Sequence, residues 1–351
     1  MSKVRRIAIA VVAVAVGVVA LLLVAEQRQG RDAKPLPGTA LRVLGPQRAI
    51  LVGTAVRAAE MRDNRAYRQL IAQQFSSLTP ENEMKWELVE PERGTFEFKF
   101  GDYIVEQAEK AGQSVRGHTL IFDSQLPGWI AELDSREVRQ ATEQYIRRVV
   151  GHWAGRIAVW DVVNEPLTAL GELKRTPFPS KLGRGYIATA FRVAHRADPK
   201  ARLHINETGA EAIGPKSDRL YELVRELRAQ GVPIDGVGFQ VHTNLGGIPP
   251  TFVDNLRRFA ALGVEIAITE ADVALKLPPS AADLRAQARV YGDIVRSCRA
   301  VKACRHLTLW GFTDGRSWIS ELQPGNGAAT ILDEKLRPKP AFGAMQRALS
   351  P

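Results

Sequence analysis

Two glutamates stand at the ends of apolar runs in this chain, where a carboxylate needs a reason to be. Glu165 follows residues 157–163 (IAVWDVV) by way of Asn164, and Pro166 then halts the run; Glu270 follows residues 264–269 (VEIAIT) and precedes Asp272 by two positions. A carboxylate facing an apolar interior loses hydration, so it shifts its proton affinity or finds a partner. One such glutamate reads equally well as a helix cap or the partner of a surface arginine. Two of them, leaving similar runs, point to paired-acid chemistry: glycoside hydrolysis uses one acid as proton donor and the other as nucleophile or base.

The elements that would position them recur along the chain. Short apolar runs rich in β-branched residues lie near 50–55, 75–79, 114–121, 157–163, 201–205, 235–241, 264–269 and 306–312. Between most of them lie stretches with helical spacing of apolar residues, such as 102–111, 136–150, 217–230 and 281–296. Eight strands alternating with helices predict a parallel sheet, and about 305 residues from position 46 onward suit a (β/α)8 TIM barrel. Strands four and seven are opposite each other in such a ring, and the strand exits form the face where barrels carry their chemistry.

Ahead of this domain, residues 7–25 (IAIAVVAVAVGVVALLLVA) carry no charged or polar side chain, and at 1.5 Å per residue they approach the thickness of a bilayer core. The run is longer than a signal-peptide core and ends Leu23-Val24-Ala25 rather than small-x-small, which favours an uncleaved membrane anchor over a cleavable signal. Arg28, Arg31 and Lys34 balance Lys3, Arg5 and Arg6, so the flanking charges do not fix its orientation. Residues 26–45 read as a linker and 46–351 as the catalytic domain. The net charge of +10 is spread along the chain, which argues against a nucleic-acid partner. Cys298 and Cys304 are the only cysteines; they allow a small closed loop in an oxidising compartment, or are two unrelated buried thiols. No cysteine, histidine or aspartate pattern suggests a metal, and dinucleotide, P-loop and serine-hydrolase fingerprints are missing, so no cofactor is expected.

At nearly every strand exit the sequence resembles the family 10 glycoside hydrolases, the endo-β-1,4-xylanases. The resemblance is carried by Thr79-Pro80-Glu81-Asn82-Glu83-Met84-Lys85-Trp86, by Arg116-Gly117-His118-Thr119-Leu120 with Ser124-Gln125-Leu126-Pro127, and by Trp160-Asp161-Val162-Val163-Asn164-Glu165. Gly238-Phe239-Gln240-Val241-His242, Ile268-Thr269-Glu270-Ala271-Asp272 and Trp310-Gly311-Phe312-Thr313-Asp314 with Ser317-Trp318 complete it. It implies Glu165 as acid/base and Glu270 as nucleophile of a retaining mechanism, with the carboxyls roughly 5–5.5 Å apart. Asn164 would bond the sugar 2-hydroxyl, Gln240 would sit beside the acid/base, and His242, held by Asp272, would orient Glu270. Glu81, Asn82, Lys85, His118 and Gln125 would bind the two sugars on the non-reducing side, with Trp310 and Trp318 as stacking faces. The family also places a disulfide where Cys298 and Cys304 fall.

Each of these residues has a plainer reading: His118 and His242 as core histidines or metal ligands, Trp310 as core, Lys85 as a snorkelling surface lysine. The sequence also departs from the family's pattern. Phe122-Asp123 stands where Trp-His is usual, and Thr208 where a tyrosine would stack the leaving sugar. The smaller ring should loosen the floor of the site, Asp123 should tend to raise neighbouring carboxyl pKa values, and losing a stacking face should weaken leaving-side binding by about 1 kcal/mol. The expectation is an exported monomer acting on xylan or xylo-oligosaccharides, membrane-anchored through residues 7–25 or secreted if they are cleaved. Gln125 and Trp318 should crowd a hydroxymethyl group, favouring xylose over glucose. The alternatives are another β-1,4-glycanase of the same barrel clan, on glucan or mixed-linkage polymers, and a membrane-tethered carbohydrate-binding pseudoenzyme.

Overall fold

The structure, a computed structural model, describes residues 32–351. Eight parallel strands form its centre: β1 (Leu51–Val56), β2 (Ser77–Pro80), β3 (Ser114–Phe122), β4 (Val159–Asn164), β5 (Arg202–Glu207), β6 (Gly236–Phe239), β7 (Glu265–Lys276) and β8 (Cys304–Leu309). Each pairs with the next, and β8 pairs with both β7 and β1, closing a (β/α)8 barrel. Strands covered by helices on one side and barrel interior on the other are buried over most of their length, exposed only at their ends as at Arg202 and Lys276, which is why they read as apolar runs.

A helix returns after each strand: α1 (Arg65–Gln74), α2 (Lys99–Lys110), α3 (Ser135–His152), α4 (Tyr186–Ala197), α5 (Pro215–Ala229), α6 (Phe252–Ala260), α7 (Ala281–Arg299) and α8 (Pro340–Leu349). Their starts are written locally. Asp134 with Glu137 and Ser280 with Asp283 make capping boxes for α3 and α7, and Pro215 and Pro340 occupy first-turn positions where a missing N–H is harmless.

The observed β7 continues well past the expected 264–269, so Glu270 and Asp272 lie within a strand rather than after one. Its outer half gains new partners, the short strand His242–Asn244 alongside and Asn326–Gly327 antiparallel to its end. The barrel also begins earlier than position 46. Residues 33–45, expected within a linker, pack between α8 and α1: Leu41 is fully buried, Gln346 donates to the carbonyls of Pro37 and Thr39, and the Ala33 N–H donates to Gln69. Cys298, on α7, is bonded to Cys304, at the start of β8. The apolar run 7–25 and the expected anchor lie outside the described residues; among the described ones, no helix is long and apolar enough to cross a membrane.

Candidate active site

A cleft of about 740 Å³ opens at the carboxyl ends of the strands, and every strand contributes to it, from Arg57 after β1 to Trp310 after β8. Glu81, Asn82, Lys85, His118, Gln125, Asn164, Glu165, Gln240, His242, Glu270, Trp310 and Trp318 all line it. Asp272 does not: it is buried beneath His242.

Glu270 is 4% exposed, and its two oxygens are both engaged. Oε1 accepts from Asn206 Nδ2 at 2.7 Å, and Oε2 lies 3.3 Å from His242 Nε2. Burial pushes this carboxyl up, but the hydrogen bond from His242 and the nearby imidazoles of His118 and His242 outweigh it, leaving Glu270 below the usual glutamate range. His242 Nδ1 sits 2.9 Å from Asp272 Oδ2, which also accepts from Trp318 Nε1 at 2.7 Å. Burial disfavours the imidazolium, yet Asp272 and Glu270 overcome that and raise His242 to about 10. A protonated histidine between two carboxylates keeps Glu270 ionised.

Glu165 is held differently. It follows β4 directly with φ of 53°, a left-handed backbone that turns its side chain into the cleft. Its Oε1 accepts from Gln240 Nε2 at 3.1 Å, and Lys174 Nζ stands 3.3 Å from Oε2, both side chains of that ion pair being partly open to solvent. The two carboxylates are joined by amides alone: Gln240 also reaches Asn164 Oδ1, which accepts from the same Asn206 Nδ2 that holds Glu270. Gly238 makes room for this, since a Cβ there would lie 2.3 Å from Asn206 Oδ1.

One wall of the cleft is tightly cross-linked. Lys85 Nζ donates to Gln125 at 2.5 Å and to Asn82 at 3.0 Å, and Gln125 donates back to Asn82. Burial lowers the Lys85 pKa, against the pull of Glu270, Glu81 and Glu165. Arg57 forks onto both oxygens of Glu81 at 2.8 Å and onto Glu321 across the rim. His118 is oriented by Asp161, whose carboxylate also takes Arg116. Burial pushes Asp161 up, and Arg116 and His118 reverse it to about 2. Trp310 lies edge-on to His118 and Trp318 edge-on to His242; both line the cleft, Trp318 partly exposed and Trp310 with most of its surface buried.

The opposite wall is sparser. Thr208 offers no ring, and Asp123 lies with Lys174 near Glu165. Burial raises the Asp123 pKa, with a Thr176 hydrogen bond and the charge of Lys174 opposing it and Glu165 adding to it. The Phe122 ring sits 5.5 Å below the Lys85 ammonium. Glu207, on β5 next to Asn206, accepts from the N–H groups of Leu167 and Thr208 and pairs with Lys216 at 2.9 Å; burial raises it to about 7.

Asn206, Arg57, Glu321, Lys174 and Asp161 were not singled out from the sequence as site residues. Asn206 and Asp161 carry a usable signal, each a polar side chain inside an apolar strand run. Lys174 lies in a loop and Glu321 in the five-residue helix Trp318–Leu322, too short to show a period, and only tertiary structure brings them in.

The glycosyl hydrolase family 10 model matches residues 40–348. An endo-1,4-beta-xylanase of Agaricus bisporus is 41% identical over 83% of this chain and 88% of its own. Endo-1,4-beta-xylanase B of Thermotoga neapolitana is 38% identical over 88% of this chain and 91% of its own. The structure of xylanase 10B from Thermotoga petrophila in complex with xylobiose superposes with a TM-score of 0.87 at 37% identity, over 90% of this chain and 98% of that one. With the motifs at nearly every strand exit, the closed barrel and these matches in agreement, the chain belongs to glycosyl hydrolase family 10.

Proposed function

We infer that the protein is a retaining endo-1,4-β-xylanase that cleaves internal β-1,4-xylosidic bonds. The observation that carries this reading is the unequal treatment of the two carboxylates. Glu270 is buried and held as an anion between Asn206 and a histidine that keeps its proton, while Glu165 is partly open to solvent and touches groups that can follow a change in its charge.

In the first step Glu165 gives its proton to the glycosidic oxygen as Glu270 attacks the anomeric carbon; the C–O bond breaks, the shortened chain leaves, and a xylosyl ester forms on Glu270. In the second, Glu165 takes a proton from water, whose oxygen attacks the same carbon and releases Glu270 as carboxylate. The Asn164 amide is placed for the 2-hydroxyl of the sugar between the acids. Asp272 holds His242 Nδ1 through both steps, while the pull of the Glu270 charge on the imidazolium is withdrawn as the ester forms and returns when it is released.

The wall built from Glu81, Asn82, Lys85 and Gln125, with His118 and the two tryptophans, binds the non-reducing sugars. Polar forks meet hydroxyls there, and indole faces meet the flat C–H surfaces. The disulfide and a polymeric substrate too large to cross a membrane support an exported catalytic domain, tethered by residues 7–25 or freed from them by cleavage. The test is the anomer released first from a xylo-oligosaccharide, followed by NMR: β-configured product supports retention, and α-configured product, or equal inactivity of wild type and Glu270→Ala, removes the reading.

A further inference from the structure

Far from the cleft, the outer face of α7 carries Arg285, Arg289, Arg296 and Arg299, all exposed, along about 21 Å of helix. With Arg347 of α8 they wall a groove of about 470 Å³ floored by small residues such as Ala288, Gly292 and Ala344, and no acidic side chain lines it. The guanidinium of Arg296 lies over Gly292 and that of Arg347 approaches Gly343, so the groove stays shallow and its charge stays at the surface. Asp293 pairs with Arg296 at its edge; Arg285 and Arg289 have no ion-pair partner among the described residues. A second basic groove, lined by Arg257, Lys302 and Arg305 and again by no acid, starts where Arg299 gives way to Ala300. The band therefore runs from the barrel flank onto its floor, away from the substrate opening.

Its position says what covers it. The described chain enters at Asp32, which pairs with Arg65 and accepts from Gln69 on α1; residues 33–45 then lie between α1 and α8. The 31 residues before that point include the uncharged apolar run 7–25 and the basic flank Arg28 and Arg31. We propose that the α7–α8 arginine groove docks on an anionic phospholipid surface, so that the barrel lies with this flank on the bilayer and the cleft facing away from it. Guanidinium groups fork onto phosphate oxygens, and a basic patch next to an apolar segment supplies the second of the two signals that steady membrane attachment needs. The inference rests on the reading of residues 7–25 as a membrane segment.

The test uses the full chain in nanodiscs of neutral or phosphatidylglycerol-containing lipid, with arginine modification by phenylglyoxal read by mass spectrometry. In anionic discs Arg285, Arg289 and Arg296 should react at least about threefold more slowly than in neutral ones, the difference closing at about 0.5 M salt. Exposed Arg139 on α3, across the barrel, should react equally in both. Equal rates for the groove arginines at low salt overturn the proposal, as does stronger protection by soluble polygalacturonate than by lipid. Should the chain elute free of neutral discs, the anchor reading fails separately. The free chain is then floated with anionic vesicles: flotation that is lost in the triple variant Arg285→Gln, Arg289→Gln, Arg296→Gln, with xylan hydrolysis unchanged, upholds the groove, and no flotation of wild type overturns it.

Discussion

The two walls of the cleft are made of similar residue types and built on opposite principles. On one, Lys85, Asn82 and Gln125 satisfy each other before any sugar arrives, and Arg57 clamps Glu81 to the rim. On the other, Lys174 and Asp123 flank Glu165 with solvent nearby, and Thr208 presents only a methyl and a hydroxyl. Preorganised polar groups do not have to reorder when they meet substrate, so under the proposed function binding strength should come chiefly from the first wall. The second keeps the freedom that a proton donor needs. The contrast can be broken or sharpened by substitution, beginning with the acids themselves.

Glu270→Ala removes the buried anion proposed as nucleophile, and kcat should fall by at least about 10⁴-fold on every substrate, xylan and aryl xyloside alike. Glu165→Ala should lose about 10²–10⁴-fold on xylan, where the leaving sugar needs a proton. On an aryl xyloside with a good leaving group it should retain the burst of released phenol and lose only steady turnover. A missing burst in Glu165→Ala would mean that the two acids are not divided in labour as their surroundings imply.

His242→Gln tests the difference in proton affinity. Glu270 must be ionised to attack, and His242 is the main agent depressing its pKa, so the acid limb of kcat/KM should move upward in the variant. Stability should respond in the opposite range. His242 is raised from 6.5 to about 10, so the stabilisation from its protonated form is complete below pH 6.5 and lost as pH rises through about 10. Thermal unfolding midpoints of wild type should fall across that window, and those of His242→Gln should fall less.

Two lysines put the walls side by side. Lys85 is 6% exposed and fixed by two acceptors, so Lys85→Met should lower kcat/KM on xylotriose by roughly thirtyfold, about 2 kcal/mol for charged hydrogen bonds. Lys174, paired with Glu165 where solvent reaches both, should lose under tenfold as Lys174→Met. Equal effects would erase the distinction between a preorganised and a loose wall.

Much of this was legible in the sequence because barrel strands are buried on both sides and announce themselves as apolar runs, with any acid at their ends conspicuous. Glu165 and Glu270 follow from that, the site residues at the other exits from the resemblance to family 10, and the structure gathers all of them but the underlying Asp272 in one cleft. What escaped has a common cause. Arg57 meets Glu321 across 264 positions of sequence, and Lys174 comes from a loop that no periodicity marks. The packing of residues 33–45 escaped because its helix, Leu41–Leu44, spans four residues, too few to show a period. The length of β7 escaped, although Ala271, Val273 and Leu275 are apolar at every second position, because the acids Glu270 and Asp272 read as the end of an apolar run; the partners His242–Asn244 and Asn326–Gly327 carry the strand on.

The smallest expected effect sits on the sparse wall. Thr208 follows Glu207, whose carboxylate accepts the Thr208 N–H, so the backbone there is fixed by a group that a change of side chain does not touch. The side chain itself is half-buried at the cleft edge. Thr208→Tyr should therefore place a ring on the leaving side without disturbing the barrel, adding a stacking face of about 1 kcal/mol, a five- to tenfold gain in binding. Because that contact lies beyond the scissile bond, the gain should show as a lower KM for long xylo-oligosaccharides and leave aryl xylosides, whose leaving group is not a sugar, nearly unchanged. A gain on both substrate types would mean the ring acts on the site as a whole, and the two walls would not be the independent halves that their hydrogen bonding makes them.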